Sequence, residues 1–223
     1  HSGHIITSSM DDTADIQQRR NSFIGQTNNV LCFFNKLDTS VKLQLFKSYC
    51  CSFYGSELWS LDNIQLDNIC GAWRKALRRI LQLPYKCHSY LLPILSDSLP
   101  IFDDICKRSM RFIVNCVASP SHLVKSISWH CILFGRQRSF IGSDALFCCE
   151  RYKWSMIEFI NNSSEFNNFP FNSLFYDSLT EMQKNSASFL FELLSIREGH
   201  IFLPQSFLSY VQLADIIEFI STV

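Results

Sequence analysis

Residues 41–84 contain the most informative pattern of this chain, and they read VKLQLFKSYCCSFYGSELWSLDNIQLDNICGAWRKALRRILQLP. The stretch predicts two consecutive helices, of which the second covers residues 63–82, with Asp62 as its N-cap and Pro84 beyond its end. At about 100° per residue, the apolar side chains of this second helix fall within one arc of about 100°. They are Leu66, Ile69, Trp73, Ala76, Leu77 and Ile80. One face of the helix is therefore predicted to pack in a core.

The opposite side of the second helix is cationic, and the nearest acidic residues along the chain are Asp67 and Asp97. Its charged residues are Arg74, Lys75, Arg78 and Arg79. A solvated surface accounts for such charges, since cations near a helix C-terminus interact favourably with the macrodipole. Like charges without an acidic partner at i,i+4 repel one another, however, which favours a ridge that binds phosphate. Both interpretations remain open from the charges alone.

Two runs within the stretch, VKLQLFKSYCCSFYGSELW and WRKALRRILQLP, resemble the region after the palm in reverse transcriptases of LINE-type (non-LTR) retrotransposons. In that family a K-x-x-L-F-x-x-Y-C…Y-G-x-x-L-W helix is followed by a W-R/N-K-x-x-R-x-I/L-L-x-L-P helix. Residues 1–7, HSGHIIT, resemble the L-G-H-x-I tail of the palm, although Ser2 stands where the family usually has Leu. Residues 141–152, IGSDALFCCERY, resemble a motif of the C-terminal segment. Residues 197–199 and 216–221 fit the usual end of such reading frames, so the likeness spans nearly the whole chain.

The resemblance implies a thumb and a C-terminal segment that lie downstream of a catalytic palm. Such a fragment would grip template RNA and primer DNA, so the implied partners are RNA, DNA and the palm and fingers of the parent polymerase. The backbone contacts would come from the basic helix face, with weaker additions from the residues after it. These candidate nucleic-acid-binding residues are Arg74, Lys75, Arg78, Arg79, Lys86 and His88. Phosphate contacts of this kind position a duplex without reading its sequence.

The chemistry of polymerisation is missing from the sequence. A polymerase needs closely set Asp residues to hold two divalent ions, and the family's aromatic-x-Asp-Asp motif does not occur here. The pairs Asp11-Asp12 and Asp103-Asp104 stand where helices are predicted to begin, rather than in strand hairpins. Zinc-binding Cys-x-x-Cys pairs, Gly-x-Ser-x-Gly nucleophile motifs and Gly-rich phosphate loops are also absent. We therefore expect no enzyme activity and no cofactor in this fragment, with Mg²⁺ held by a palm that lies upstream.

The composition is that of an ordinary globular chain, with 223 residues and a formal net charge of zero. That balance excludes a globally basic nucleic-acid binder but leaves room for a local basic face. The ten cysteines include the adjacent pairs Cys50-Cys51 and Cys148-Cys149, whose geometry is poor for a bridge. We expect reduced thiols, no disulfide-linked partner and an intracellular location, nuclear or cytoplasmic. No apolar run reaches the roughly 18 residues of a membrane span, so no membrane partner is expected.

The predicted fold class is mainly α, with a short strand at residues 1–7. Residues 1–10 are assigned to the tail of the palm, 11–85 to a thumb-like helical bundle, 86–100 to a linker, and 101–223 to a second helical region. Besides the helix at 63–82, helices are predicted at 11–35, after the N-cap candidates 38–40, and at 101–117, 119–134, 144–159, 179–197 and 206–221. Residues 161–172 are predicted to form a loop or connector.

Further core residues are predicted in the helix after residue 40 and in the segment that connects it to the helix at 63–82. The helix after residue 40 has a wide apolar arc, formed by Val41, Leu45, Phe46, Tyr49, Cys50 and Phe53. A helix that is apolar over so wide an arc is usually buried between neighbours. Gly55 is expected to permit a turn or close packing, and Trp59 is expected in the core.

A different class of function fits the same sequence. The chain could be a helical protein-interaction module, or a degenerate and non-functional element remnant, whose binding surface is apolar and includes exposed parts of the Phe-rich C-terminal half. Salt separates the two functional hypotheses, because binding to nucleic acid weakens steeply with added salt and binding through an apolar protein interface does not.

Overall fold

The computed structural model describes residues 3–5, 7–8, 11–135, 138–155 and 180. The regular structure of these residues is helical, which confirms the prediction of a mainly α fold. The α-helices are α1 Thr13–Phe33, α2 Thr39–Leu45, α3 Gln65–Ile80, α4 Leu91–Ser96, α5 Ile101–Val117, α6 His122–Leu133 and α7 Phe140–Tyr152. A π-helical turn, Phe46–Cys50, continues α2, and a 3-10 turn covers Ser56–Leu58. The described residues before Asp11 contain no strand, so the predicted strand at 1–7 is not confirmed.

The chain forms two compact units, each built from separate segments. The first unit contains the described parts of His1–Gln18, Tyr54–Asn68 and Ile101–Leu174. The second unit contains Arg19–Phe53, Ile69–Pro100 and the described residue of Phe175–Val223. Each unit therefore depends on segments that lie far apart in the sequence. The predicted division into residues 1–10, 11–85, 86–100 and 101–223 remains a prediction.

Aromatic packing organises the core of the second unit. The ring centroid of Phe23 in α1 lies 5.6 Å from that of Phe46 and 5.4 Å from that of Phe53, and all three side chains are at most 4% exposed. Thr27 and Val30, on later turns of α1, are also buried. The spacing of Phe23, Thr27 and Val30 is that of one helix face, so α1 packs in this core through a single side.

The apolar side of α3 is buried as predicted. All six of its predicted core residues are at most 5% exposed. Asn63 rather than the predicted Asp62 caps the helix, because the Asn63 Oδ1 atom accepts the backbone N–H of the first helical residue at 2.9 Å. The helix ends where Gln82 takes a φ of 55° and the Leu83 N–H donates to the Arg78 carbonyl at 2.8 Å.

The buried face of α2 and its π-helical continuation differs from the predicted one. The predicted core residues that are buried are Phe46, Cys50 and Phe53. Val41 and Tyr49 are instead 39% and 53% exposed, while Leu43 is almost fully buried. The π-helical turn accounts for Tyr49 but not for Val41, which precedes it, because the Cys51 N–H donates to the carbonyl five residues back, at 3.1 Å. This wider turn rotates the later side chains away from the positions that a regular α-helix gives them.

The predicted linker at residues 86–100 contains the buried helix α4. Every residue of α4 is buried, including Pro93, which stands in the first turn where a missing N–H costs no helix hydrogen bond. Asp97 follows with a φ of 46°, and the Ser98 N–H closes the helix end by donating to the Pro93 carbonyl at 3.0 Å. Lys47 Nζ donates to the Asp97 carbonyl at 2.8 Å, which ties α4 into the second unit.

Helices α5, α6 and α7 pack against one another in the first unit. α5 covers the predicted range, whereas α7 begins at Phe140, before the predicted start at residue 144. Ser139 is the reason, because its Oγ accepts the Gly142 N–H at 3.0 Å and so caps the helix upstream of the predicted cap, Ser143. The helices predicted at 179–197 and 206–221 and the connector at 161–172 lie outside the described residues, apart from Thr180.

Candidate nucleic-acid interface

The outer side of α3 presents a basic ridge, which we define as Arg74, Lys75 and Arg79. All three side chains are exposed, whereas the apolar residues on the opposite side of the helix are buried. α3 contains no acidic residue after Asp67, so no carboxylate of the same helix neutralises the ridge. The ridge therefore offers hydrated cations along one side of a helix that is anchored by its other side.

Arg78 differs from the three ridge residues although the sequence pattern treats all four alike. Its side chain is half-buried, and it donates from Nη2 and Nε to the Cys87 carbonyl at 2.7 and 3.3 Å. Nη2 also donates to the Ser89 Oγ atom at 3.1 Å. The fork of the guanidinium thus holds the segment after α3 against the helix. Arg78 acts first as a positioning residue of the second unit.

Arg79 is exposed but also positioned by a neighbour. Its Nη1 donates to the Oδ1 atom of Asn28 in α1 at 2.8 Å. A polar residue of the first helix therefore lies beside the basic ridge. The sequence contains no local signal for this pairing, because the two residues are 51 positions apart.

The turn after α3 carries the other two predicted site residues. The Cys87 N–H donates to the Pro84 carbonyl at 3.1 Å, which places Tyr85 and Lys86 in the middle of a tight turn, and both are exposed. His88 is half-buried instead, and its ring centroid lies 5.7 Å from that of Tyr90. No role was predicted for Tyr85, although the sequence places this aromatic residue between a proline and a lysine in a turn.

The first unit contains a network of buried polar groups. The Asp15 carboxylate, which is 0% exposed, accepts the Trp59 indole N–H at 2.7 Å and the Ile5 N–H at 3.0 Å. His4 Nδ1 lies 3.1 Å from the same carboxylate. Gly55 adopts a φ of 85°, and a Cβ atom there would lie 3.3 Å from His4 Nδ1, so the expected turn and close packing at Gly55 are confirmed.

Asp144 forms a second buried part of this polar core. Its Oδ1 accepts the Leu61 N–H at 3.0 Å, and its Oδ2 accepts from the Ser109 hydroxyl at 3.3 Å. Burial raises the pKa of Asp144 to about 7, although the two hydrogen bonds lower it and the charges of Asp62 and Asp12 raise it. The sequence alone suggested no such role for Asp144.

The acid pairs serve structural roles at the starts of helices. Asp11 Oδ1 accepts the Thr13 N–H at 3.1 Å, and Asp104 pairs with Arg108 at 2.8 Å. Asp103 Oδ1 accepts from the Arg151 guanidinium at 2.9 Å and from the Tyr152 hydroxyl at 2.8 Å. Asp11 lies just before α1, and Asp103 and Asp104 lie in the first turn of α5, which agrees with the prediction that the pairs mark helix starts.

All ten cysteines are free thiols, of which Cys32 is exposed. Within the described ranges, no group of His, Cys, Asp or Glu side chains has the arrangement of a metal site. None of the helices described here is long and apolar enough to cross a membrane.

In comparisons with known proteins, no family model, curated protein or solved structure matches this chain.

Proposed function

We propose that this chain binds the backbone of a template–primer duplex of RNA and DNA through the basic ridge, as the thumb and C-terminal segment of a non-LTR-type reverse transcriptase. The observation that carries the proposal is the segregation of α3, which buries one side completely and exposes Arg74, Lys75 and Arg79 on the other. Lys86 and His88 follow on the turn, and Arg78 holds that turn in place. The contacts would be to phosphate and therefore independent of sequence.

The buried polar network supports the resemblance on which the proposal depends. Three of the segments that resemble the family contribute to it, through His4, Trp59 and Asp144. Trp59 reaches Asp15 beside His4, and two residues later the Leu61 N–H reaches Asp144. Buried polar side chains that are hydrogen-bonded restrict how the segments around them can pack.

The palm and fingers of a parent polymerase, with Mg²⁺ in the palm, belong to the same proposal, as does an intracellular location, nuclear or cytoplasmic. On this proposal the chain alone does not polymerise. A primer-extension assay with Mg²⁺ should show no template-dependent product from the purified chain.

The test of the ridge is the binding of a fluorescent RNA–DNA hybrid, followed by anisotropy at several salt concentrations. Arg74→Ala with Lys75→Ala should weaken binding and make the salt slope of log affinity shallower by about one unit for each lost phosphate contact. The matched control is Arg111→Ala with Lys125→Ala, which removes one exposed arginine and one exposed lysine from α5 and α6. The control should leave both affinity and slope unchanged.

Equal effects of the two double variants would contradict the proposal, because they would show that binding follows net charge alone. Unchanged binding in the ridge variant would contradict it as well. In that case the ridge is a solvated surface of the helix.

A second candidate function, a protein-interaction module, is favoured by one observation in the first unit. α6 and the residue after it expose large apolar side chains, with Leu123 68%, Ile127 52% and Phe134 75% exposed. Leu123 and Ile127 are four residues apart and so lie on one side of the helix. Binding of a protein through this side should resist added salt and should be lost in Leu123→Asp with Ile127→Asp.

A further inference from the structure

The turn that follows α3 holds an exposed aromatic ring at a defined position. Tyr85 is 81% exposed, yet the backbone on either side of it is tied down. The Cys87 N–H donates to the Pro84 carbonyl at 3.1 Å, and Cys87 itself is 1% exposed. Arg78 donates to the Cys87 carbonyl at 2.7 Å, so the turn is also fastened to the helix that carries the basic ridge. The ring is therefore open to solvent on a backbone that has little freedom to move.

The surroundings of Tyr85 are cationic. The Arg78 guanidinium carbon lies over the ring, 5.9 Å from its centroid, and Lys86 is exposed as the next residue of the turn. The neighbouring aromatic residue Tyr90 is packed differently, since it is half-buried and lies against His88. Tyr85 is thus the aromatic residue of this turn whose surface remains available to a ligand.

An aromatic ring beside a row of cations is the arrangement that binds single-stranded nucleic acid. The cations follow the phosphates, and the ring stacks on a base, whichever base it is, because every base has a π face. A paired base inside a duplex is already stacked on its neighbours and cannot offer this face. The ring can therefore stack on an unpaired base outside the duplex.

We infer that Tyr85 is a stacking site for an unpaired base, so that the preferred ligand of this interface is a duplex with a single-stranded extension. The inference rests on the proposed function, because the ridge of Arg74, Lys75 and Arg79 would hold the paired part. It adds a ligand class that the ridge alone does not distinguish, since phosphates are present in paired and unpaired strands alike.

The experiment compares three fluorescent probes with the full chain by anisotropy. The first is a blunt RNA–DNA hybrid, the second carries a short single-stranded extension, and the third carries the same extension made of abasic nucleotides. The abasic probe keeps every phosphate and removes only the bases. The parent chain should bind the base-bearing extension about 5- to 150-fold more tightly than the abasic one, the range typical of one stacked base.

Substitutions of Tyr85 test whether its ring causes the preference for the base-bearing probe. Tyr85→Ala should abolish the difference between the base-bearing and abasic probes while leaving affinity for the blunt hybrid unchanged. Tyr85→Phe keeps the ring and should keep the preference. Tyr49→Ala is the matched control, because Tyr49 is another exposed tyrosine of the second unit, at 53%, and its loss should change none of the three affinities.

The outcomes separate the two proposals. If the blunt hybrid binds but the base-bearing and abasic extensions bind equally, the stacking inference is overturned and the ridge proposal stands. Retention of the preference in Tyr85→Ala would also overturn the inference. If the parent chain binds none of the probes, both proposals fail together.

Discussion

The two units of this chain use charge in opposite ways. Every carboxylate that is buried among the described residues belongs to the first unit, where Asp15, Asp103 and Asp144 are 0%, 7% and 1% exposed. In the second unit the clearest group of charges is the basic ridge on the outside of α3. The chain has equal numbers of acidic and basic residues. A chain with a net charge of zero can therefore bury acids in the core of one unit and expose bases on the surface of the other.

The physical reason for the difference is the cost of desolvation. A buried carboxylate must be hydrogen-bonded, and so it selects one arrangement of the donors around it. A lysine or arginine on a helix surface keeps its hydration while its methylenes cover apolar neighbours. Substitutions should therefore affect mainly stability in the first unit and mainly binding on the ridge of the second.

The largest effect is expected from Trp59→Ala in the first unit. The substitution opens a cavity in place of a side chain that is 0% exposed, and it removes the donor to buried Asp15. Together these changes should lower the free energy of unfolding by roughly 4–6 kcal/mol. Trp59→Phe keeps most of the volume and should cost less. Urea unfolding measures both, and a loss below about 1 kcal/mol for the alanine variant would show that Trp59 does not anchor this unit.

Trp73→Ala should have the next largest effect, and it tests the inner side of α3. Trp73 is 4% exposed and carries no ridge charge, so the loss is that of a core truncation, roughly 3–5 kcal/mol in the free energy of unfolding. Tyr85→Ala is a suitable control, because an exposed ring should change stability by less than about 0.5 kcal/mol. A similar loss of unfolding free energy in the two variants would mean that the inner side of α3 is no more important for stability than the exposed turn after it.

Asp144→Asn should alter how stability depends on pH. The pKa of Asp144 is raised from 3.8 to about 7 in the folded chain, so the folded chain binds a proton more tightly than the unfolded chain between these values. The contribution of Asp144 is fully present below about pH 4 and is lost as pH rises through about 7. Asn cannot ionise, so the variant should gain about 2–4 kcal/mol relative to the parent from pH 4 to pH 8.

Urea unfolding of both chains at several pH values measures this difference. Glu150→Gln is the control, since Glu150 is an exposed acid of the same helix. Parallel pH profiles for the parent and Asp144→Asn would contradict the assignment of a buried, titrating carboxyl at this position.

The smallest effect on stability is expected from substitutions of the basic residues of α3. Arg78→Ala removes the hydrogen bonds to the Cys87 carbonyl and to Ser89, and should cost roughly 1–2 kcal/mol of stability. Arg74→Ala should stay within about 0.5 kcal/mol, because that side chain is exposed. Arg78→Lys should not restore the loss, since lysine lacks the planar fork. Equal stability of Arg74→Ala and Arg78→Ala would remove the distinction between ridge and positioning residue.

Local patterns predicted the helices well where one face of a helix is uniformly apolar. α5 covers its predicted range, and α3 lies within its predicted range with all predicted core residues buried. Such patterns depend on residues three or four positions apart, so a sequence displays them directly. The predicted start of α7 was wrong because Ser139 caps the helix, and the predicted burial of Tyr49 was wrong because a π-helical turn follows α2. The assignment to a polymerase family and the binding of nucleic acid remain proposals.

The apolar side and the cationic side of α3 could be predicted without a structure, because both follow from the spacing of residues along one helix. Two other features could be read only from the folded chain. Arg78 is bound to Cys87 while Arg74 is exposed, and Asp144 is hydrogen-bonded to Leu61 and Ser109 in a buried site. Asp144 lies 83 positions from Leu61 along the chain. Hydrogen bonds and burial depend on distances in space, and no local periodicity reports which distant segments the fold brings together.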